Sequence, residues 1–156
     1  MPQPTALKHI GILSDTHGHL PNAVHSIFKD IDLVLHAGDV GKYDIIIELE
    51  TIAPVYAVYG NVDGDDLRRR TEFLRIIHLD GYTLLLTHAP AKLETPPYEK
   101  GLVRIFGHTH TPKIVKEGNI LTLNPGSCSY PRGSKGPSVC LLQLGPDGPK
   151  AEIIYL

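Results

Sequence analysis

The chain has 156 residues, 42% of them hydrophobic and 21% charged, with a net charge of −2. That is the make-up of one soluble globular domain, residues 1–156, long enough to bury a core of its own. The near-neutral charge excludes a global field that would gather nucleic acid or an anionic membrane, and no apolar stretch approaches the ~18 residues of a spanning helix.

Taken in chain order, residues 8–14 read as a strand, and 21–30 as a helix opened by Pro21, whose missing N–H costs nothing in a first turn. A second strand follows at 32–36, a helix at 42–51, a third strand at 54–59 and a short helix at 64–70. This βαβαβ order predicts a parallel sheet with helices packed outside it. After Thr71 the character changes to short strands at 73–79, 82–87, 103–107, 113–117, 120–123, 138–144 and 151–155. Asp80-Gly81 and Gly118-Asn119 are hairpin turns, so the second half is expected to be mostly antiparallel. Residues 89–101, with three prolines and no helical period, are expected to form a loop beside the site, and 130–137 another.

The N-terminal MPQPTALKH lacks a signal-peptide core, so the expected location is the cytoplasm. Cys128 and Cys140 are too few and too far apart for a disulfide framework or a thiolate zinc knuckle, and read as free, buried thiols.

The nine histidines carry more information. Five apolar runs, HIGILSDTHGH, DLVLHAGDV, VYAVYGNVD, YTLLLTHAP and LVRIFGHTH, each begin as a strand buried on both faces and stop at Asp, His or Asn. In open α/β sheets the carboxyl ends of the strands lie along one edge, where ligands bind. Asp15, His17, Asp39, Asn61, Asp63, His88, His108 and His110 should therefore converge. In an extended segment alternate side chains share a face, so Asp15 and His17, or His108 and His110, can reach one site or two adjacent ones. Mixed oxygen and nitrogen donors without thiolate suit Mn, Fe, Ni, Co or Zn.

Seven such ligands exceed what one ion needs but suit two ions sharing a carboxylate, ~3.5–4 Å apart. Such a pair makes hydroxide available at neutral pH and clamps phosphoryl oxygens, the chemistry of phosphate-ester hydrolysis. Asp63 is expected either to brace Asn61 or a ligand histidine, or to cap the helix after it. His19 is read as a solvent-facing loop residue or a proton donor, and His36 as a core or bracing residue. His9, His25 and His78 are read as structural, and Arg68–Arg70 as a solvated helix face. Arg132 could contact phosphate bidentately or belong to a Pro/Gly loop.

SDTHG, GDV, GNVD, a strand ending in TH, and GHTH resemble, in order and spacing, the motif set of the calcineurin-like metallophosphoesterases. The size and the NPGS at 124–127 are similar to the small YfcE-like phosphodiesterases. The resemblance implies a four-layer αββα sandwich of two mixed sheets and a two-metal centre, commonly Mn, Ni or Fe. It implies that Asp15, His17, Asp39 and His110 hold one metal, and Asp39, Asn61, His88 and His108 the other, with Asp39 as the bridge. The implied activity is phosphodiester hydrolysis by a hydroxide held between the metals. Asp39, Asn61 and His19 would be catalytic, and Asn61, Asn124, Gly126, Ser127 and Arg132 would bind a small phosphodiester. Nucleic acid would enter only as substrate, no membrane is involved, and edge strands of the second half could pair in a homo-oligomer.

Two departures stand out. Many relatives carry GNHE where this chain has Val62 within GNVD, which predicts weak acid assistance and a preference for good leaving groups. The THAP at 87–90 replaces a common THGH. The competing reading is a catalytically silent scaffold on the same fold, against which stands the filling of every ligand position.

Overall fold

The protein's computed structural model describes residues 7–90 and 95–156. Long apolar stretches dictate strands buried on both faces, and the first, β1 (Lys8–Leu13), lies at the centre of a five-stranded sheet. It pairs in parallel with β2 (Leu33–His36), which pairs in parallel with β3 (Val55–Ala57). Helices α1 (Ala23–Ile27), α2 (Asp44–Glu50) and α3 (Asp65–Arg70) follow these strands in turn, as the βαβαβ pattern predicts. The sheet is completed from the far end of the chain by β9 (Ser138–Leu144), antiparallel to β1, and β10 (Lys150–Tyr155), antiparallel to β9.

The second sheet has the order β4 (Leu74–Leu79), β5 (Tyr82–Thr87), β6 (Gly101–Ile105), β8 (Ile120–Asn124), β7 (Lys113–Glu117). The expectation of a mostly antiparallel second half holds for the hairpins β4–β5 and β7–β8 and for β9 with both β1 and β10, and fails only at the centre of the second sheet. The central strands β5, β6 and β8 are mutually parallel, because the connections after β5 and β6 cross back before the next central strand begins. Their carboxyl ends thereby reach the same rim as those of β1 and β2.

One core cluster lies between the sheets, with Ile10, Ile12, Leu35 and Val58 facing Leu84, Leu86, Val103, Ile105 and Leu123. A second joins Leu13 and Val34 to Phe28 at the end of α1 and to Val24, Ile45, Ile46, Leu49 and Leu67 of the three helices. This is the expected sandwich of two mixed sheets with helices. Among the described residues all helices lie on the first sheet. On the second, the connection from β5 to β6 approaches β5 through Pro97, whose carbonyl accepts the Thr83 hydroxyl at 3.0 Å. Residues 91–94 of the expected 89–101 loop fall outside the described residues, and the loop ends at Lys100 because Gly101 already pairs with Tyr82 in β6.

Helix α1 is shorter than the expected 21–30. The Pro21 carbonyl accepts Val24 N–H in a three-residue turn, and Phe28 leaves the helical region at φ −94°, ψ 9°. The Asp80-Gly81 turn is as expected, with φ of 53° and 87°, the pairing a tight hairpin needs. No helix among the described residues is long and apolar enough to cross a membrane. Both cysteines are buried free thiols, and burial pushes Cys128 up to about 11 and Cys140 up to about 12.

His36 is fully buried and stitches two rim loops together. Its Nδ1 accepts Gly38 N–H at 3.1 Å, which leaves Nε2–H to donate to Thr16 Oγ1 at 3.0 Å, and the Thr16 hydroxyl donates to the Val40 carbonyl at 2.7 Å. Burial, aided by the nearby His88 imidazole, lowers its pKa from 6.5 to about 3. The unfolded chain takes up a proton below pH 6.5 that the folded chain refuses, so His36 withdraws stability as pH falls from 6.5 toward 3. Chemical denaturation should show about 2 kcal/mol more loss between pH 7 and 5 in the native protein than in His36→Gln. Equal pH slopes for the two proteins would contradict this.

Candidate metal centre

Past the ends of β1 and β2 the two chains continue side by side. Asp15 N–H donates to the Gly38 carbonyl at 2.9 Å, His17 N–H to Asp39 at 3.0 Å and Gly18 N–H to Val40 at 2.8 Å. These segments are not extended, contrary to the strand-alternation expectation. Asp15, His17, Asp39, His108 and His110 have φ of 56°, 46°, 53°, 70° and 62°, in the left-handed region. That conformation costs a residue with a Cβ about 1 kcal/mol or more, and Asp and His tolerate it better than most. Strain of this kind gathers at functional sites.

The result is two groups of donor atoms. In the first, Asp15 Oδ1 lies 3.2 Å from His110 Nε2 and 3.7 Å from His17 Nε2, and the two Nε2 atoms are 3.4 Å apart. In the second, His88 Nε2 lies 3.1 Å from Asp39 Oδ2 and 3.0 Å from Asn61 Oδ1. The donor atoms of Asp39, His88 and His108 all lie within 4.8 Å of one another. Asp39 Oδ2 also stands 3.8 Å from His17 Nε2, so it faces both groups. His108 and His110 thus serve different groups, while Asp15 and His17 share one.

Proton accounting tests whether these atoms suit a metal. His110 Nδ1–H donates to the Tyr130 carbonyl at 2.6 Å, and His88 Nδ1–H to the Ala37 carbonyl at 2.7 Å. In its neutral form each ring then turns its Nε2 lone pair inward, toward carboxylate and amide oxygens. Asp15 Oδ2 accepts Ser14 Oγ–H at 2.6 Å and His108 N–H at 3.0 Å, whereas its buried Oδ1 has no hydrogen-bond partner. Lone pairs meeting with an orphaned carboxylate oxygen fit divalent cations held by oxygen and nitrogen.

Burial pushes the Asp15 carboxyl above the usual carboxylate range, against the Ser14 hydrogen bond and the imidazoles of His88 and His110. Burial also acts to raise Asp39, but its hydrogen bonds with His88 and Val62 N–H and the charges of His88 and His17 together hold it below that range. Burial acts to lower His88, and the Asp39 and Ala37 hydrogen bonds with the nearby carboxylates raise it overall.

The surroundings hold the donors by close approach. A Cβ on Gly60 would overlap Asp39 Oδ1 and its backbone nitrogen, and one on Gly107 would overlap Ser14 Oγ. Asp63 takes the bracing role rather than the capping one, and acts on the backbone of the Asn61 loop. Its carboxylate accepts backbone N–H from Val40, Gly41 and Gly60 at 2.9–3.1 Å, clamping the Asp39 loop to the Asn61 loop.

The NPGS turn is hydrogen-bonded into the loops around it. Buried Asn124 spends its amide on the Gly107 carbonyl and Thr109 Oγ1, and its oxygen on Gly126 N–H. Ser127 Oγ, fully buried, donates to the Asp15 carbonyl and accepts Ser129 and Tyr130 N–H. With these polar atoms committed inward, Asn124, Gly126 and Ser127 brace the ligand loops from behind.

His19 is exposed and is held through its backbone, its N–H donating to the Thr16 carbonyl at 2.9 Å and its carbonyl accepting Ser129 Oγ–H. Arg132 meets the centre through its backbone, donating N–H to the His110 carbonyl at 3.3 Å, with its side chain exposed. Arg68 is more than a solvated charge. Its Nε donates to the Asp63 carbonyl at 2.7 Å, and its guanidinium lies 4.8 Å from the Tyr59 ring centroid, fastening α3 to the Asn61 loop. His25 forms a surface pair with Glu48 at 2.9 Å. Sequence reasoning missed Tyr130, whose carbonyl fixes the His110 ring. Only its closeness to NPGS hinted at a place beside the centre.

Residues 9–147 match the calcineurin-like phosphoesterase superfamily domain. The chain is similar to a probable metallophosphoesterase of Methanothermobacter thermautotrophicus, 38% identical over 93% of this chain and 91% of the relative. It is 35% identical to a phosphodiesterase of Methanocaldococcus jannaschii, over 76% of this chain and 83% of that protein. Among solved structures it is similar to Yfce, a phosphoesterase from E. coli, with a TM-score of 0.71, 26% identity and 89% of each chain covered. Vacuolar Protein Sorting 29 from Cryptosporidium parvum shares the fold, with a TM-score of 0.73 at 17% identity over 95% of this chain and 97% of that one. Motifs, two-sheet architecture and domain match agree: the chain belongs to the calcineurin-like phosphoesterase superfamily.

Proposed function

We propose that the chain is a dinuclear metal-dependent phosphodiesterase acting on a small phosphodiester. The observation that carries this reading is the position of Asp39 Oδ2, 3.1 Å from His88 Nε2 and 3.8 Å from His17 Nε2, which lets one carboxylate serve both donor groups. Asp15, His17, Asp39 and His110 would hold one ion, and Asp39, Asn61, His88 and His108 the other. Mn suits this donor set, as do Ni, Fe, Zn and Co. Bound there, two divalent cations make hydroxide available at neutral pH and offset the charge on phosphoryl oxygens.

The protein's own part is positional. The Tyr130 and Ala37 carbonyls fix the rings of His110 and His88, and Ser14 and His108 N–H aim the Asp15 carboxylate. Asn61 offers a neutral oxygen beside His88, where it can also meet a phosphoryl oxygen. His19 and Arg132, exposed on the adjoining loops, are available as proton donor and phosphate contact. A scaffold role is disfavoured because every ligand position is filled and the donors already meet.

Asp39→Asn should lower kcat on bis-p-nitrophenyl phosphate on the order of 10³-fold in the Mn-supplemented protein, since it removes the shared charge. Equal inertness of both proteins while metal still binds would end the enzyme reading. Metal should also relieve the crowding of lone pairs. Mn at 100 times its Kd should raise Tm by about 5–10 °C, and EDTA should reverse it. Val62, 58% exposed, offers no proton where many relatives place a histidine. The logarithm of kcat/KM should therefore fall steeply with leaving-group pKa, and Val62→His should flatten the slope, acid assistance being worth about 10²–10⁴-fold. A flat dependence in the native enzyme would contradict that account.

A further inference from the structure

Tyr130 is the one large aromatic side chain placed against a ligand of the centre among the described residues. Its ring centroid lies 5.6 Å from that of His17 in a perpendicular arrangement, yet the residue is 50% exposed. The backbone on which it stands does not drift. Tyr130 N–H donates to the buried Ser127 Oγ at 2.8 Å, and its carbonyl accepts His110 Nδ1–H at 2.6 Å. The ring is thus held beside the first donor group with much of its surface toward solvent.

Among the described residues no Lys or Arg side chain is hydrogen-bonded or ion-paired to the side chains of Asp15, His17 or His110. Tyr130 leaves about half of its surface free, unlike an aromatic present only to fill a core. A fixed, half-open aromatic ring next to a phosphate-binding centre offers stacking, an interaction indifferent to hydrogen-bond pattern but selective for planar groups.

We propose that Tyr130 is a stacking platform for a planar aromatic group on the retained, non-leaving ester of the phosphodiester, making the enzyme selective for diesters whose retained group is aromatic over those whose retained group is alkyl. This rests on the phosphodiesterase reading and names the substrate class for that site. A nucleobase and a simple aryl ring present the same chemistry to Tyr130.

Three diesters with one leaving group test it: the p-nitrophenyl esters of thymidine 5′-monophosphate, phenyl phosphate and methyl phosphate. Water cleaves one P–O bond in each and releases p-nitrophenolate, so a single absorbance reads all three. The ratio of kcat/KM for an aromatic diester to that for the methyl diester should fall about tenfold in Tyr130→Ala. It should be retained in Tyr130→Phe, with the metal-to-protein ratio equal in all three proteins. A fall confined to the thymidine ester assigns the platform to nucleobases, and one confined to the phenyl ester assigns it to aryl groups. If Tyr130→Ala scales all three diesters by the same factor, the ring merely covers His17 and the proposal is overturned while the phosphodiesterase reading stands. Inertness of the native enzyme toward all three diesters would bring down both.

Discussion

Nitrogen and oxygen donor atoms drawn together at one rim are the constraint around which this fold is arranged. His88 and His110 each commit Nδ1–H to a backbone carbonyl, so their remaining nitrogens face carboxylate and amide oxygens 3.0–3.2 Å away. Buried Asp15 Oδ1 has no hydrogen-bond partner. With both rings neutral, such an arrangement repels itself in a medium that screens charge poorly. It persists because the two-sheet core and the loops behind the rim over-determine it.

That over-determination is visible in how few polar groups behind the centre are idle. His36 ties the Thr16 and Gly38 segments, Asp63 ties Val40 to Gly60, and Asn124 and Ser127 tie the GHTH and SDTHG loops to the end of β8. Five donor residues sit in left-handed backbone, a conformation that loops shape only when held from several sides. The site is therefore a property of five strand ends at once. A change in any one brace moves a donor without touching it.

Much of this was legible in the amino-acid sequence because buried parallel strands are continuous apolar runs, and their ends punctuate themselves with polar residues. The runs ending at Asp15, Asp39, Asn61, His88 and His108 placed the rim, and the βαβαβ order placed β1, β2 and β3 side by side. The parallel pairing of β5, β6 and β8 was hidden by the hairpin turns on either side, since local turn chemistry reports the edges of a sheet and says nothing of its middle. Nor does an Asp or His announce a positive φ as Gly can, so strand alternation was the wrong geometry for Asp15 and His17. The inward engagements of Asn124 and Ser127 were hidden for a related reason. Residue type shows that a side chain can bind something, while only the fold shows that it is already engaged.

The central claim is that one carboxylate, Asp39, is shared by two ions. A crystal structure of the Mn-loaded protein, with anomalous scattering recorded, addresses it most directly. The account predicts two anomalous peaks about 3.5–4 Å apart, both in contact with the Asp39 carboxylate. A single peak, or two peaks of which only one touches Asp39, would contradict it.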